Sequence, residues 1–214
     1  MWTLPILLLA VTILLSIPLS RYFASVMDGR FRIPGPIDRI EKKLDSGQQN
    51  WKQYAIAMLV FTVALFTYGY VVLCLQPIAP LNPLGRGILA PSTIFNTVIS
   101  FMTNTNLQHY SGDQHLSNFS QIFFILPNMF LSASIGFCAL AMIIRAFRGE
   151  ALVGNFFVDM WRVVIYIYFP VALIIGGIFI TQGMPMTFAS EQTVTTLEPG
   201  AMGVDDRFGL LGRQ

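Results

Sequence analysis

The sequence predicts an all-α integral membrane protein: four transmembrane helices plus one short re-entrant helix that ends in a polar loop. Three observations carry that prediction. Of the 214 residues, 54% are hydrophobic and only 11% charged, with a mean hydropathy of +0.62, whereas soluble domains carry roughly 25% charged residues. The charges are clustered, which leaves uncharged tracts at residues 2–20, 53–75, 119–144 and 163–181. Each reaches the ~18 residues needed to cross a bilayer. Finally, the apolar run at residues 91–102 is too short to cross and passes straight into Thr103, Asn104, Thr105 and Asn106.

Residues 1–24 read as a retained first span rather than a cleaved signal. A positive n-region is missing, the apolar run exceeds a usual h-region, and no clear small-x-small cleavage site follows. Arg21 marks where this span leaves the membrane. Residues 25–52 read as a basic cytoplasmic loop, mostly a solvated connector. Segment 21–52 holds seven of the thirteen Lys+Arg: Arg21, Arg30, Arg32, Arg39, Lys42, Lys43 and Lys52. Within it, IPGP at 33–36 makes a rigid turn and 37–44 a short amphipathic helix. Lys and Arg are retained on the cytoplasmic side, which puts the amino terminus outside. Ten of the thirteen Lys+Arg fall on the inside segments 21–52 and 145–162, and three (Arg86, Arg207 and Arg213) fall outside.

Residues 53–145 form a helix–loop–helix unit. An external run rich in proline and glycine leads to Pro91, which suits the first turn of a helix because its missing N–H costs nothing there. The helix at 91–102 is about 18 Å long, against a hydrocarbon core of about 30 Å, hence its assignment as re-entrant. Residues 146–182 give a cytoplasmic loop and the last span, with Pro170 as a kink and Gly176 and Gly177 as a close-packing point. Residues 183–214 form an external tail, in which Met184 and Met186 carry no chemistry.

Non-helical backbone at membrane depth is tolerated only where protein buries it or where it lines a watery cavity. Residues 103–106 offer carbonyl and hydroxyl oxygens and no charge. The helix before them aims roughly half a negative charge at its carboxyl end. Neutral oxygens of this kind suit a monovalent cation such as K⁺, whereas Ca²⁺ sites recruit Asp or Glu. An ordinary external loop with Asn and Thr as turn-formers is the alternative, and composition leaves both open. His109, Asp113 and His115 read as solvated loop residues rather than a metal site. Arg145 and Arg148 read as interface and topology anchors, and Trp161, Tyr166 and Tyr168 as an interfacial belt or lipid-facing packing. Cys74 and Cys138 lie inside spans as small packing residues. A net charge of +2 is too small to suggest nucleic acid.

The stretch FNTVISFMTNTNLQHYSGDQHLSNFSQ at 95–121 resembles the first pore loop of the A-subunit family of the bacterial Kdp potassium pump. PGPIDRIEKKL at 34–44, FLSASIGFCALAMIIRAFRG at 130–149 and GNFFVDMWRVVIYIYFPVAL at 154–173 extend the resemblance over nearly all of residues 1–200. It implies a member of the superfamily of K⁺ transporters, holding the first span plus one of four helix–pore-loop–helix repeats. Thr103, Asn104, Thr105 and Asn106 would then be the first filter strand, offering K⁺ mainly backbone carbonyls, with Gln108 behind it tuning affinity. K⁺ would be the transported ion, with no organic cofactor and no catalytic residue in this chain. The implied partners are the lipid bilayer of the bacterial inner membrane, a P-type ATPase catalytic subunit and small single-span accessory subunits. Neither a DKTG setting nor a Gly-x4-Gly-Lys-Ser/Thr motif is present, so ATP hydrolysis would reside in the partner.

The family pattern comprises ten spans and four filter strands, of which the resemblance covers the first. After Asp205 and Asp206 the string RFGLLGRQ departs from it, and a truncated or frameshifted reading frame is the expectation. A passive K⁺ channel or symporter of the same superfamily, and a non-transporting membrane protein, are the competing functions.

Overall fold

The computed structural model describes residues 3–184 and the backbone of three strands at 192–195, 201–205 and 209–210. Its helices are α1 (Thr3–Met27), α2 (Pro36–Leu44), α3 (Trp51–Cys74), α4 (Pro91–Met102), α5 (Gly112–His115), α6 (Asn118–Phe147) and α7 (Phe156–Thr181). Among the described residues, α1, α3, α6 and α7 are long and apolar enough to cross a membrane. The all-α expectation describes residues 3–184. Beyond them β1 (Gln192–Thr195), β2 (Ala201–Asp205) and β3 (Gly209–Leu210) pair antiparallel in the order β1-β2-β3. Met1, Trp2, Met186, Arg207, Arg213 and the expected break after Asp206 lie outside the described residues.

Two compact units make up the chain: the residues up to Met58 together with Ser134–Phe169, and Leu59–Ala133 together with the chain from Pro170. Two of the long helices, α6 and α7, each contain a π-helical turn followed two residues later by a proline. In α6 the turn is Gln121–Ile125 before Pro127, and in α7 it is Val163–Tyr168 before Pro170. Proline has no N–H for the carbonyl four residues back, so Pro127 and Pro170 offer no amide to the carbonyls of Phe123 and Tyr166. A tyrosine hydroxyl takes each place. Tyr68 donates to the Phe123 carbonyl, and Tyr22 to the Tyr166 carbonyl at 2.5 Å.

In the first unit, Asn50 opens α3 with a reciprocal cap. Its side-chain oxygen accepts from the Lys52 and Gln53 amides, both at 3.0 Å, while its own amide donates to Gln53 Oε1 at 3.0 Å, satisfying open donors at the helix start. Asn155 caps α7 through its side chain alone, accepting from the Phe157 and Val158 amides at 3.0 and 3.4 Å. This helix therefore begins at Phe156, not near residue 163 as the sequence suggests.

The reason is that Asp159 and Arg162, which read as loop charges, are buried and paired. Arg145 donates to both carboxylate oxygens of Asp159, at 2.5 and 3.2 Å, and to the Met27 carbonyl at 3.1 Å. Arg162 donates to Glu41 Oε1 through Nε (3.0 Å) and Nη2 (2.7 Å), and to the same Met27 carbonyl at 3.0 Å. Two guanidiniums thus close the carboxyl end of α1, which runs past Arg21 to Met27. Glycines make room for them. A Cβ at Gly29 (φ 71°) would lie 2.8 Å from Arg162 Nη2, and one at Gly154 (φ 108°) 2.3 Å from Arg145 Nη1.

Three expectations are corrected here. Arg145, with 11% of its side chain exposed, is an internal partner, while Arg148 at 61% keeps the exposed role. Glu41 is buried, so the basic loop is docked rather than only solvated. Tyr166 is buried edge-on against Phe31 at 5.8 Å, not part of an interfacial belt.

The core of the second unit joins Val72 and Leu73 of α3, Ile94, Val98 and Phe101 of α4, and Leu116 and Phe124. Fully burying such side chains is worth about 1.5–3 kcal/mol each, and this holds the short α4 in place. Gly69 permits the approach: a Cβ there would fall 2.5 Å from the Phe124 ring and 3.2 Å from Val98. Gly176 and Gly177, by contrast, have no described neighbour within 4 Å of an added Cβ, so they are not a close-packing point among the described residues.

Candidate functional site

Pro91 occupies the first turn of α4, and Ile94, Thr97, Val98, Ser100 and Phe101 form its buried face. Thr97 donates to the Tyr110 hydroxyl at 3.0 Å, tying the helix to the chain that follows the loop. Burial pushes the Tyr110 phenol above its ordinary value, and the Thr97 hydrogen bond opposes that in part. At the other end Thr103 closes α4, its amide and hydroxyl both donating to the Ile99 carbonyl at 3.0 and 2.7 Å.

The chain then folds back on the helix it has left. The Asn104 amide donates to the Phe101 carbonyl (3.2 Å), and the Thr105 and Asn106 amides both donate to the Ser100 carbonyl (2.9 and 3.1 Å). The Leu107 amide donates to the Ser100 hydroxyl at 2.8 Å. Asn104 and Asn106 reach this path through left-handed backbone, φ 59° and 55°, a conformation that asparagine tolerates better than most residues.

A geometric consequence follows for the oxygens. No peptide bond here is cis, and in a planar trans peptide the N–H and the preceding C=O point in opposite directions. Four successive amides, 104 to 107, point back to Ser100 and Phe101. The carbonyls of Thr103, Asn104, Thr105 and Asn106 are therefore all turned away from the end of α4. Among the described residues no donor reaches any of them. The two threonine hydroxyls lie 3.1 Å apart. Asn104 Oδ1 accepts from Asn106 Nδ2 (3.3 Å) and from Ser132 of α6 (3.4 Å). Thr103, Asn104 and Thr105 are exposed and Asn106 half-buried, so the loop presents uncharged oxygens in a row.

Gln108 is exposed and stands apart from that row, its Nε2 3.3 Å from where a Cβ at Gly112 would sit. His109, Tyr110 and His115 pack ring against ring, with centroids 5.7 and 5.6 Å apart. Among the described residues no three His, Cys, Asp or Glu gather as metal ligands; the Asp113 side chain lies outside the described residues.

Sequence reasoning missed the residues that hold the loop: Ser100, Ser132 and, above all, Gln76. This wholly buried side chain donates to the Gly87 and His115 carbonyls (2.7 and 3.0 Å) and accepts from the Ser117 amide and Ser120 hydroxyl (3.1 and 2.7 Å). It ties the approach to α4 to the start of α6. Its only sequence signal is a lone amide between Leu75 and Pro77. A separate polar cavity of about 380 Å³ lies in the first unit beside Arg32, Asp45, Arg145 and Arg162. Its two buried guanidiniums are already engaged by Asp159, Glu41 and Met27.

The family model for the potassium-transporting ATPase A subunit matches residues 6–206 of this chain. The chain belongs to the potassium-transporting ATPase A subunit family. Curated relatives named potassium-transporting ATPase potassium-binding subunit include one from Granulibacter bethesdensis, 37% identical over 191 residues. Others are from Allorhizobium ampelinum and Bacteroides thetaiotaomicron, 39% identical over 202 and 198 residues. The matches take in 85%, 90% and 88% of this chain but 34%, 36% and 35% of the respective relatives. Within this A-subunit family, then, the chain spans about a third of the length of those relatives.

Proposed function

We propose that this chain supplies the K⁺-binding segment of an ATP-driven potassium uptake pump. In this reading α4 is a re-entrant pore helix and residues 103–106 are one filter strand. The carrying observation is the set of four consecutive carbonyls turned away from the end of α4, with no donor on them among the described residues. Such oxygens can replace the water shell of K⁺, and their lack of formal charge suits a monovalent ion. The negative end of the α4 dipole adds to the attraction. One strand offers oxygens from one side only, so the ion is completed by strands from other segments of the assembly.

Gln108, two residues beyond the strand in sequence, tunes affinity. ATP hydrolysis belongs to a P-type catalytic subunit, with small single-span subunits completing the complex in the bacterial inner membrane. The basic segments 21–52 and 145–162 face the cytoplasm and the amino terminus faces outward. Relatives named for K⁺ binding within a potassium-transporting ATPase support this assignment.

A chimera tests it. Residues 6–206 replace the matching segment of the Granulibacter bethesdensis relative, assembled with that relative's own pump. K⁺-stimulated ATP hydrolysis and K⁺ uptake are expected, with Gln108→Arg weakening K⁺ affinity. An assembled chimera that hydrolyses ATP without K⁺ stimulation would reject the proposal.

A further inference from the structure

We infer that Ser100 is a positioning residue for the K⁺ strand, acting through its hydroxyl on the Asn106–Leu107 peptide. The inference rests on the filter reading above and adds a residue that never touches the ion. Ser100 Oγ accepts from the Leu107 amide at 2.8 Å and donates to the Leu107 carbonyl at 2.6 Å. Only a hydroxyl can both donate and accept through one small atom. Helical serines ordinarily bond back to a carbonyl one turn earlier, whereas this one reaches seven residues ahead and binds both ends of one residue.

Two layers of restraint follow. The Ser100 carbonyl collects the Thr105 and Asn106 amides, which turns the Asn104 and Thr105 carbonyls outward. This layer is backbone and survives any side-chain change. The hydroxyl collects the Leu107 amide, which turns the Asn106 carbonyl outward. This layer is lost without the oxygen. Alanine fills nearly the same volume at this buried position, so Ser100→Ala releases the last carbonyl of the strand while keeping the packing that α4 makes through Val98 and Phe101. An oxygen free to swing accepts ions of different radius, and discrimination falls together with affinity.

The test uses the chimeric pump with Ser100→Ala, Ser100→Thr and, as a control on the filter reading, Asn106→Val. Half-saturating K⁺ and the preference for K⁺ over Rb⁺ are measured for each. Ser100→Ala is expected to raise half-saturating K⁺ about tenfold, the loss that goes with one buried hydrogen-bonded pair, and to narrow the K⁺/Rb⁺ preference. Ser100→Thr, which retains the hydroxyl, is expected to restore both. In parallel, the Leu107 amide of the 214-residue chain in lipid nanodiscs should exchange about tenfold faster in Ser100→Ala.

Wild-type affinity and preference in Ser100→Ala, alongside a shifted Asn106→Val, would overturn the role of Ser100 and leave the filter reading intact. No shift in either variant would overturn both. Failure of Ser100→Thr to restore, or unchanged Leu107 exchange in Ser100→Ala, would also overturn the positioning role.

Discussion

The hydroxyl of Tyr22 donates to the carbonyl of Tyr166 at 2.5 Å, the carbonyl to which Pro170, four residues on, offers no amide. The bond compensates a defect inside α7. Tyr22→Phe should therefore cost about 1 kcal/mol or somewhat more, the worth of one satisfied buried carbonyl. In a Pro170→Ala background the helix supplies its own amide, and the cost of Tyr22→Phe should shrink. Unfolding in mixed micelles measures the four members of this cycle. Equal costs in both backgrounds would contradict the explanation.

Breaking the Arg145–Asp159 pair leaves one buried charge alone. Asp159→Ala is expected to destabilise the first unit by about 3–5 kcal/mol. The double replacement Arg145→Met with Asp159→Leu should recover much of that loss, because matched apolar side chains remove both charges together. Thermal unfolding of purified protein in detergent separates the cases.

The left-handed backbone at Asn104 and Asn106 makes a different kind of prediction. If backbone oxygens hold the ion, Asn106→Gly should keep K⁺ affinity close to that of the parent. Asn106→Val should lose it, since a β-branched residue resists this conformation by about 1–2 kcal/mol or more. Half-saturating K⁺ in the chimeric pump reads both. Similar losses in the two variants would instead assign the coordination to the side-chain amide.

Gln76→Leu keeps volume but deserts the Gly87 and His115 carbonyls, the Ser117 amide and the Ser120 hydroxyl. Each deserted buried group costs about 1–3 kcal/mol. Faster hydrogen exchange is expected across residues 115–121 and in α4, with the first unit unaffected. Unchanged protection at Ser117 would show that water replaces Gln76 there.

Local signals made much of this fold legible. Pro91 and the polar run from Thr103 bracket α4 at the same residues the structure gives it, and the uncharged tracts locate all four long helices. The polarity of the loop was also plain. What the sequence hid depends on distant partners. Asp159 and Arg162 look like surface charges until Arg145 and Glu41, 14 and 121 residues away, are placed beside them. The buried role of Tyr166 was hidden in the same way. Carbonyl direction in the loop was illegible for a related reason: it follows from left-handed turns at two asparagines and from a serine hydroxyl inside the preceding helix. No periodicity encodes either.

The most direct test of the account is to locate the ion. Anomalous diffraction from the chimeric pump soaked in Rb⁺ should place a peak in contact with carbonyl oxygens from among Thr103, Asn104, Thr105 and Asn106, and K⁺ should displace it. A displaceable peak elsewhere, with these four oxygens making no contact to it, would contradict the assignment of this loop as a K⁺ strand.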